Sequence, residues 1–129
     1  MDRRILIVDD EVSIGKLLEK AFTLAGFSPK TACSAEEALI IAEKEKFEIF
    51  FLDIKLPKMN GIDLCKILKK DHPASFFFSM TGYASVFDLV KCRESGFDDY
   101  FIKPFTLEAV VKVVSETFEK IERWKKGKS

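Results

Sequence analysis

The chain has 129 residues, 47% of them hydrophobic and 33% charged, which is the size and composition of one domain able to fold on its own core. Its 21 Lys and Arg balance its 21 Asp and Glu, which excludes a broad electrostatic footprint for nucleic acid or an anionic membrane. No apolar run approaches the roughly 20 residues that span a bilayer, and the opening MDRRILIVDD has no signal-peptide core, so the expected location is the cytoplasm. Three cysteines, Cys33, Cys65 and Cys92, form no C-x-x-C pair. They suit neither a zinc site nor a disulfide framework and read as small buried hydrophobes in a reducing compartment.

In chain order, Ile5–Val8 is the first apolar run of strand length. It leads into a helix in which Ile14, Leu17, Leu18, Ala21 and Phe22 form one apolar face. A weaker strand candidate, Ser28–Ala32, precedes a helix opened by Ser34 and Glu37 as a capping box and running through Glu45. Ile49–Leu52 is apolar throughout. The helix after it begins near Gly61 and carries Ile62, Cys65, Ile67 and Leu68. Phe76–Met80 is the fourth strand, and its three phenylalanines read as core. A helix from about Ser85 to Ser95 follows, with Gly96 suited to its C-terminal cap. Tyr100–Ile102 is the fifth strand candidate. Thr106 can cap a last helix carrying Val110, Val111, Val114, Phe118 and Ile121. His72, beside Pro73, reads as a loop residue.

Five alternating strand and helix units predict an α/β fold: a single doubly wound five-stranded parallel sheet with five helices. Strands apolar at nearly every position are those buried on both faces. The expected strand order is 2-1-3-4-5, flavodoxin-like, with a site beyond the carboxyl ends of the strands. At those ends stand Asp9, Asp10 and Glu11, then Asp53, then Thr81 and Gly82, then Lys103 and Pro104. Taken singly each is ordinary; Asp10 or Glu11 reads equally as the cap of the first helix. Together they are not, because two like charges 4 Å apart cost about 4 kcal/mol at an effective dielectric near 20. Clustered carboxylates therefore need raised pKa values or a cation. Lys103 supplies one positive charge, and an all-oxygen site suits Mg²⁺. A carboxylate beside a divalent cation, a lysine and a hydroxyl suits phosphoryl transfer, with Asp53 as the nucleophile.

ILIVDDE at 5–11, FFLDIKLPKMNGID at 50–63, MTGY at 80–83 and GFDDYFIKPF at 96–105 occur in the order and spacing of a known family. The sequence resembles the receiver domain of two-component response regulators over about residues 4–122. Within that family it looks most like single-domain phosphorelay receivers of the sporulation type. The resemblance implies that Asp53 is the phosphoacceptor and that Asp9, Asp10, Asp53 and the backbone carbonyl of Lys55 hold Mg²⁺ (or Mn²⁺). It makes Thr81 and Lys103 the phosphoryl-binding groups, with Thr81 and Tyr100 as the switch pair. It also implies a cis bond before Pro104. Lys55 and Tyr83 flank the path of an attacking water and are expected to tune dephosphorylation. Gly82 stands where alanine is common, which frees the loop.

The resemblance further implies a sensor histidine kinase or histidine phosphotransferase as donor, docking at Ile14, Gly15 and Leu18. A downstream protein target, or a second copy in a homodimer, would meet the fourth helix, fifth strand and fifth helix. It implies no direct nucleic acid binding by this domain and no membrane. It makes the protein a signalling phosphoacceptor and not an enzyme, beyond self-phosphorylation from small donors and slow self-dephosphorylation. The receiver is expected over residues 1–122, with 123–129 as a basic tail or linker stub; residues 119–129 carry net +3. The alternatives are a phosphorylation-independent interaction module with the receiver fold and an aspartate-nucleophile phosphatase of the haloacid dehalogenase type. The latter would want an acid where Lys55 stands. A flavin carrier is disfavoured by the acidic loop after the first strand, and no P-loop motif is present.

Overall fold

The computed structural model describes residues 2–82 and 85–127. Five strands and five helices alternate: β1 (Arg4–Val8), α1 (Val12–Leu24), β2 (Ser28–Ala32), α2 (Ala35–Lys44), β3 (Ile49–Asp53), α3 (Gly61–Asp71), β4 (Phe76–Thr81), α4 (Val86–Ser95), β5 (Asp99–Ile102) and α5 (Leu107–Gly127). All strand pairs are parallel, in the order β2-β1-β3-β4-β5. The expected α/β architecture and strand order are those observed.

Alternation along each strand sends side chains to opposite faces. Leu6, Val8, Phe50, Leu52 and Phe77 pack against α2, α3 and α4 through Ala35, Ala38, Leu64, Cys65, Leu68 and Cys92. Ile5, Ile7, Ile49, Phe51, Phe78 and Met80 pack against α1 and α5 through Leu18, Phe22, Val110, Val114 and Phe118. Phenylalanines in register form the centre. Phe50 and Phe77 stack with centroids 4.8 Å apart, and Phe51 lies 5.2 Å from Phe78 and 5.6 Å from Phe22. Such pairs add about 0.5–1.5 kcal/mol each beyond the area they bury. The aromatic run in β4 is therefore core, with Phe77 and Phe78 buried and Phe76 half-buried.

The helices differ in detail from the periodic pattern. Leu17 and Ile67 are exposed, at 49% and 38%, because the helix stripe is wider than the sheet contact. Ser34 accepts from the Glu37 N–H at 3.1 Å as a plain cap, whereas the reciprocal box opens α4, between Ser85 and Asp88. Gly96 caps α4 with φ 106°, and the Thr106 hydroxyl accepts from the Ala109 N–H at 3.2 Å. His72 ends α3 and is buried against Phe50, with ring centroids 5.3 Å apart. Burial pulls its pKa below the ordinary value, and nearby Lys46 adds to this. Cys65 and Cys92 are buried as expected, but Cys33 is exposed, since it follows an edge strand and has no helix over it. α5 continues unbroken to Gly127, and its Trp124 stands 68% exposed on the last turns.

One close approach positions the site. The N–H of Gly61, at the start of α3, donates to the Ile54 carbonyl at 3.0 Å, and a Cβ at this position would lie 2.1 Å from the Asp53 carbonyl oxygen. Backbone, not a flexible side chain, would have to give way. Gly61→Ala is expected to lower stability by about 1–3 kcal/mol or more, read as a drop in the urea midpoint at constant slope.

Candidate functional site

Strand register brings the four chain-distant segments to one rim. Val8 pairs with Ala32 and Leu52, Asp53 with Met80, and Thr81 with Ile102. Asp9, Asp53, Thr81 and Lys103 therefore emerge side by side. The Lys103 N–H donates to the Thr81 carbonyl at 2.7 Å, which carries the β4–β5 ladder into the site. The Lys103–Pro104 peptide is cis.

The Lys103 ammonium is the centre of the arrangement. It donates to Asp9 Oδ2 at 2.8 Å, to Asp53 Oδ2 at 3.0 Å and to Glu11 Oε1 at 3.3 Å. The remaining oxygens of the two buried carboxylates are met by backbone. Asp9 Oδ1 accepts from the Glu11 N–H at 2.9 Å, and Asp53 Oδ1 accepts from the Lys55 N–H at 2.9 Å. Asp9 and Asp53 are almost fully buried, Thr81 is fully buried, and Asp10 is exposed. Asp9, Asp10 and Asp53 each offer one oxygen, all within 4.8 Å of one another.

Burial dominates the electrostatics of Asp53. It pushes the carboxyl up to about 6, against the lowering hydrogen bonds from Lys103 and Lys55, and Asp9 adds to the rise. For Lys103, burial works against the charge, but the hydrogen bonds to Asp9 and Asp53 outweigh it and hold the pKa above the ordinary value. A buried carboxylate that resists ionisation beside a second one is a site built to gain from added positive charge. Three oxygen donors, one solvent-exposed, fit a hard divalent ion such as Mg²⁺.

The expected residues Asp9, Asp10, Asp53, Thr81 and Lys103 thus come together. Tyr100 lies apart from them, 46% exposed on β5. Lys55 is exposed in the loop after β3, with its N–H on the Asp53 carboxylate. Tyr83 lies outside the described residues. The α1 docking face needs correction: Gly15 and Leu18 are buried in the helix–sheet contact and only Ile14 is partly accessible. The exposed apolar side chains there are Val12 and Leu17. Two contributors have roles that sequence reasoning did not assign. Glu11 is the N-cap residue of α1 but makes no capping hydrogen bond, its carboxylate reaching Lys103 instead. Gly61 admits α3 against the end of β3; the signal was the Asn-Gly step before an apolar helix.

A buried acidic pocket at the switch point of a five-stranded parallel sheet, bridged by one lysine, defines the class: a receiver-type α/β domain. The model of the response regulator receiver domain matches residues 5–115, and the chain belongs to that family, a family of two-component signalling domains that accept a phosphoryl group on an aspartate. The chain is 39% identical over 121 residues to "Probable transcriptional regulator ycf27" of Porphyra purpurea, covering 92% of this chain and 49% of that protein. It is 42% identical over 106 residues to "Alkaline phosphatase synthesis transcriptional regulatory protein PhoP" of Bacillus subtilis (strain 168), covering 82% and 44%. It spans about half the length of these curated relatives. Among solved structures, a response regulator receiver domain protein (CheY-like) from Methanospirillum hungatei JF-1 superposes with TM-score 0.91 at 32% identity, covering 95% of this chain and 98% of that one.

The raised Asp53 pKa has a direct consequence. Its folded value of about 6 lies above the ordinary 3.8 of an aspartate, so the folded state holds the proton more tightly than the unfolded one. The resulting penalty is absent below the unfolded pKa and fully in force above the folded one. Asp53→Asn removes it. With chelator present, the variant is expected to melt several degrees above the wild type at pH 7.5, with the gap closing as pH falls toward 4, followed by circular dichroism.

Proposed function

We propose that Asp53 is the phosphoacceptor, and that the donor is a sensor histidine kinase or a histidine phosphotransferase. The observation that carries this reading is the sharing of one ammonium, on Lys103, by the buried carboxylates of Asp9 and Asp53. In the transfer, an Asp53 carboxylate oxygen forms a bond to phosphorus. The P–N bond of the donor phosphohistidine breaks, its electron pair returns to the imidazole, and that nitrogen takes up a proton. Catalysis of such a step is mainly positioning and charge neutralisation. Lys103 neutralises one phosphoryl oxygen and the Thr81 hydroxyl hydrogen-bonds another. Asp9, Asp10, Asp53 and the Lys55 carbonyl would hold Mg²⁺ or Mn²⁺, which supplies further charge neutralisation when bound.

The switch is a population shift, in which the phosphoryl group binds the active form better. Thr81 moves toward the phosphoryl group and Tyr100 turns inward, reshaping the surface of α4, β5 and α5. That surface meets a downstream target or a second copy of the chain. Residues 1–122 are the receiver unit, and 123–129 are a basic tail or linker stub. The proposed setting is the cytoplasm; among the described residues no helix is long and apolar enough to cross a membrane. The names of the relatives, transcriptional regulators, support control of an effector as the output. The protein acts as a signalling phosphoacceptor, with self-phosphorylation from small donors and slow self-dephosphorylation as its only chemistry.

Incubation with Mg²⁺ and acetyl phosphate is expected to add one phosphoryl group by intact mass, with none formed in chelator or in Asp53→Asn. No adduct in the wild type would favour the phosphorylation-independent module. Lys55→Ala and Tyr83→Ala are each expected to shorten the phosphoryl lifetime by opening the water path. Unchanged phosphate release in both would remove these two residues from that role.

A further inference from the structure

A lysine ammonium has three N–H donors and no more. On Lys103 all three are taken, by Asp9 Oδ2 at 2.8 Å, Asp53 Oδ2 at 3.0 Å and Glu11 Oε1 at 3.3 Å. A phosphoryl oxygen arriving at Asp53 therefore finds no free donor on the lysine that is to neutralise it. One acceptor has to give way, and the three are not equal. Asp9 and Asp53 are buried, and each is held a second time by a backbone N–H, from Glu11 and from Lys55. Releasing either leaves a buried charge short of a partner, and Asp53 has to stay ionised to attack phosphorus. The Glu11 side chain is 59% exposed and makes the longest of the three contacts. It returns to water at little cost.

The surroundings of Glu11 suit a carboxylate with two positions. Its main chain is fixed: the N–H donates to Asp9 Oδ1 at 2.9 Å, and the carbonyl accepts from the N–H groups of Ile14 and Gly15 at 3.0 and 3.3 Å. Only side-chain torsions need change when the carboxylate leaves Lys103. Glu11 also stands at the N-cap of α1, where it makes no capping hydrogen bond and no acid lies in the first turn. The other four helices are capped by side-chain oxygens of Ser34, Asn60, Ser85 and Thr106. A carboxylate released at α1 meets the positive end of a helix dipole.

We propose that Glu11 is a positioning residue for phosphoryl transfer: it occupies the third N–H of Lys103 in the resting site and yields it to the incoming phosphoryl oxygen. The proposal rests on the receiver reading above and adds a built-in competitor to it. Each phosphoryl-like group that Asp53 accepts displaces this carboxylate from the ammonium. Glu11 thereby sets how tightly the site takes such groups, while its main chain keeps Asp9 in place throughout.

Trifluoroberyllate is the probe, its fluorines standing for phosphoryl oxygens. An Asp53 oxygen bonds to beryllium, and the water bound to beryllium leaves. Its affinity is measured by calorimetry at saturating Mg²⁺ in the wild type, in Glu11→Gln and in Glu11→Asp. The first variant removes the charge at nearly constant shape. The second keeps the charge, shortens the reach by one methylene and prefers the cap of α1. Both are expected to bind the probe about two- to fivefold more tightly, the range set by one exposed ion pair. In the metal-free protein without probe, the nitrogen resonance of the Lys103 ammonium is expected to shift in both variants, which reports the lost contact apart from any transfer chemistry. Unchanged affinity in both variants would overturn the proposal. Tighter binding in Glu11→Gln alone would also overturn it, because that marks a through-space effect of the charge and not a contact. Weaker binding, or tighter binding with an unmoved ammonium resonance, overturns it as well. Absence of probe binding to all three proteins would instead overturn the receiver reading itself.

Discussion

Everything at the carboxyl end of the sheet depends on one ammonium group. Asp9 and Asp53 are buried side by side, and each uses one oxygen on Lys103. Without that cation two carboxylates would share a poorly hydrated space, at a cost that folding could not carry without protonating one of them. With it, burial still pushes the Asp53 carboxyl up to about 6, and the Asp9 charge adds to the rise. The pocket is left short of positive charge. An added cation at these oxygens would relieve a penalty already present in the folded state.

The sheet exists to keep that balance fixed in space. Lys103 comes from the end of β5, an edge strand, and reaches across β4 to carboxylates on β3 and β1. It can do so only because the register is firm. Phe50 over Phe77, and Phe51 against Phe78, Phe22 and Phe101, lock the central strands to one another and to both helical layers. The edges are protected differently. β2 carries Pro29 and Lys30, and in β5 the Asp99 carboxylate accepts the Tyr100 N–H at 2.8 Å, occupying a donor that a foreign strand would need.

The topology was legible because its signals are coarse and redundant: apolar runs of strand length, acids at their ends, helical stripes between. The converging residues were legible for the same reason, since a strand end fixes position to within one residue. What could not be read was where long or marginal side chains settle. Glu11 stands at a helix cap position, yet its carboxylate is drawn to Lys103, a partner 92 residues away. Leu17 and Ile67 fit the stripes of α1 and α3 but fall beyond the sheet contact. Leu18 and Gly15 sit too deep to form a docking face, which burial in three dimensions decides and periodicity cannot. Cys33 is exposed because it follows an edge strand, a fact of sheet order and not of residue type.

Trp124 is the only tryptophan of the chain, and it stands exposed on the last turns of α5, at the end of the domain away from Asp53. The intrinsic emission of this protein is therefore a gauge of its base. Chemistry at Asp53 reaches the indole only through the full height of the domain. Titrations of the pocket call for calorimetry or for a fluorophore placed at the rim, while the native indole is free to report whatever meets the far end of α5. The two ends of the molecule can be watched separately in one sample.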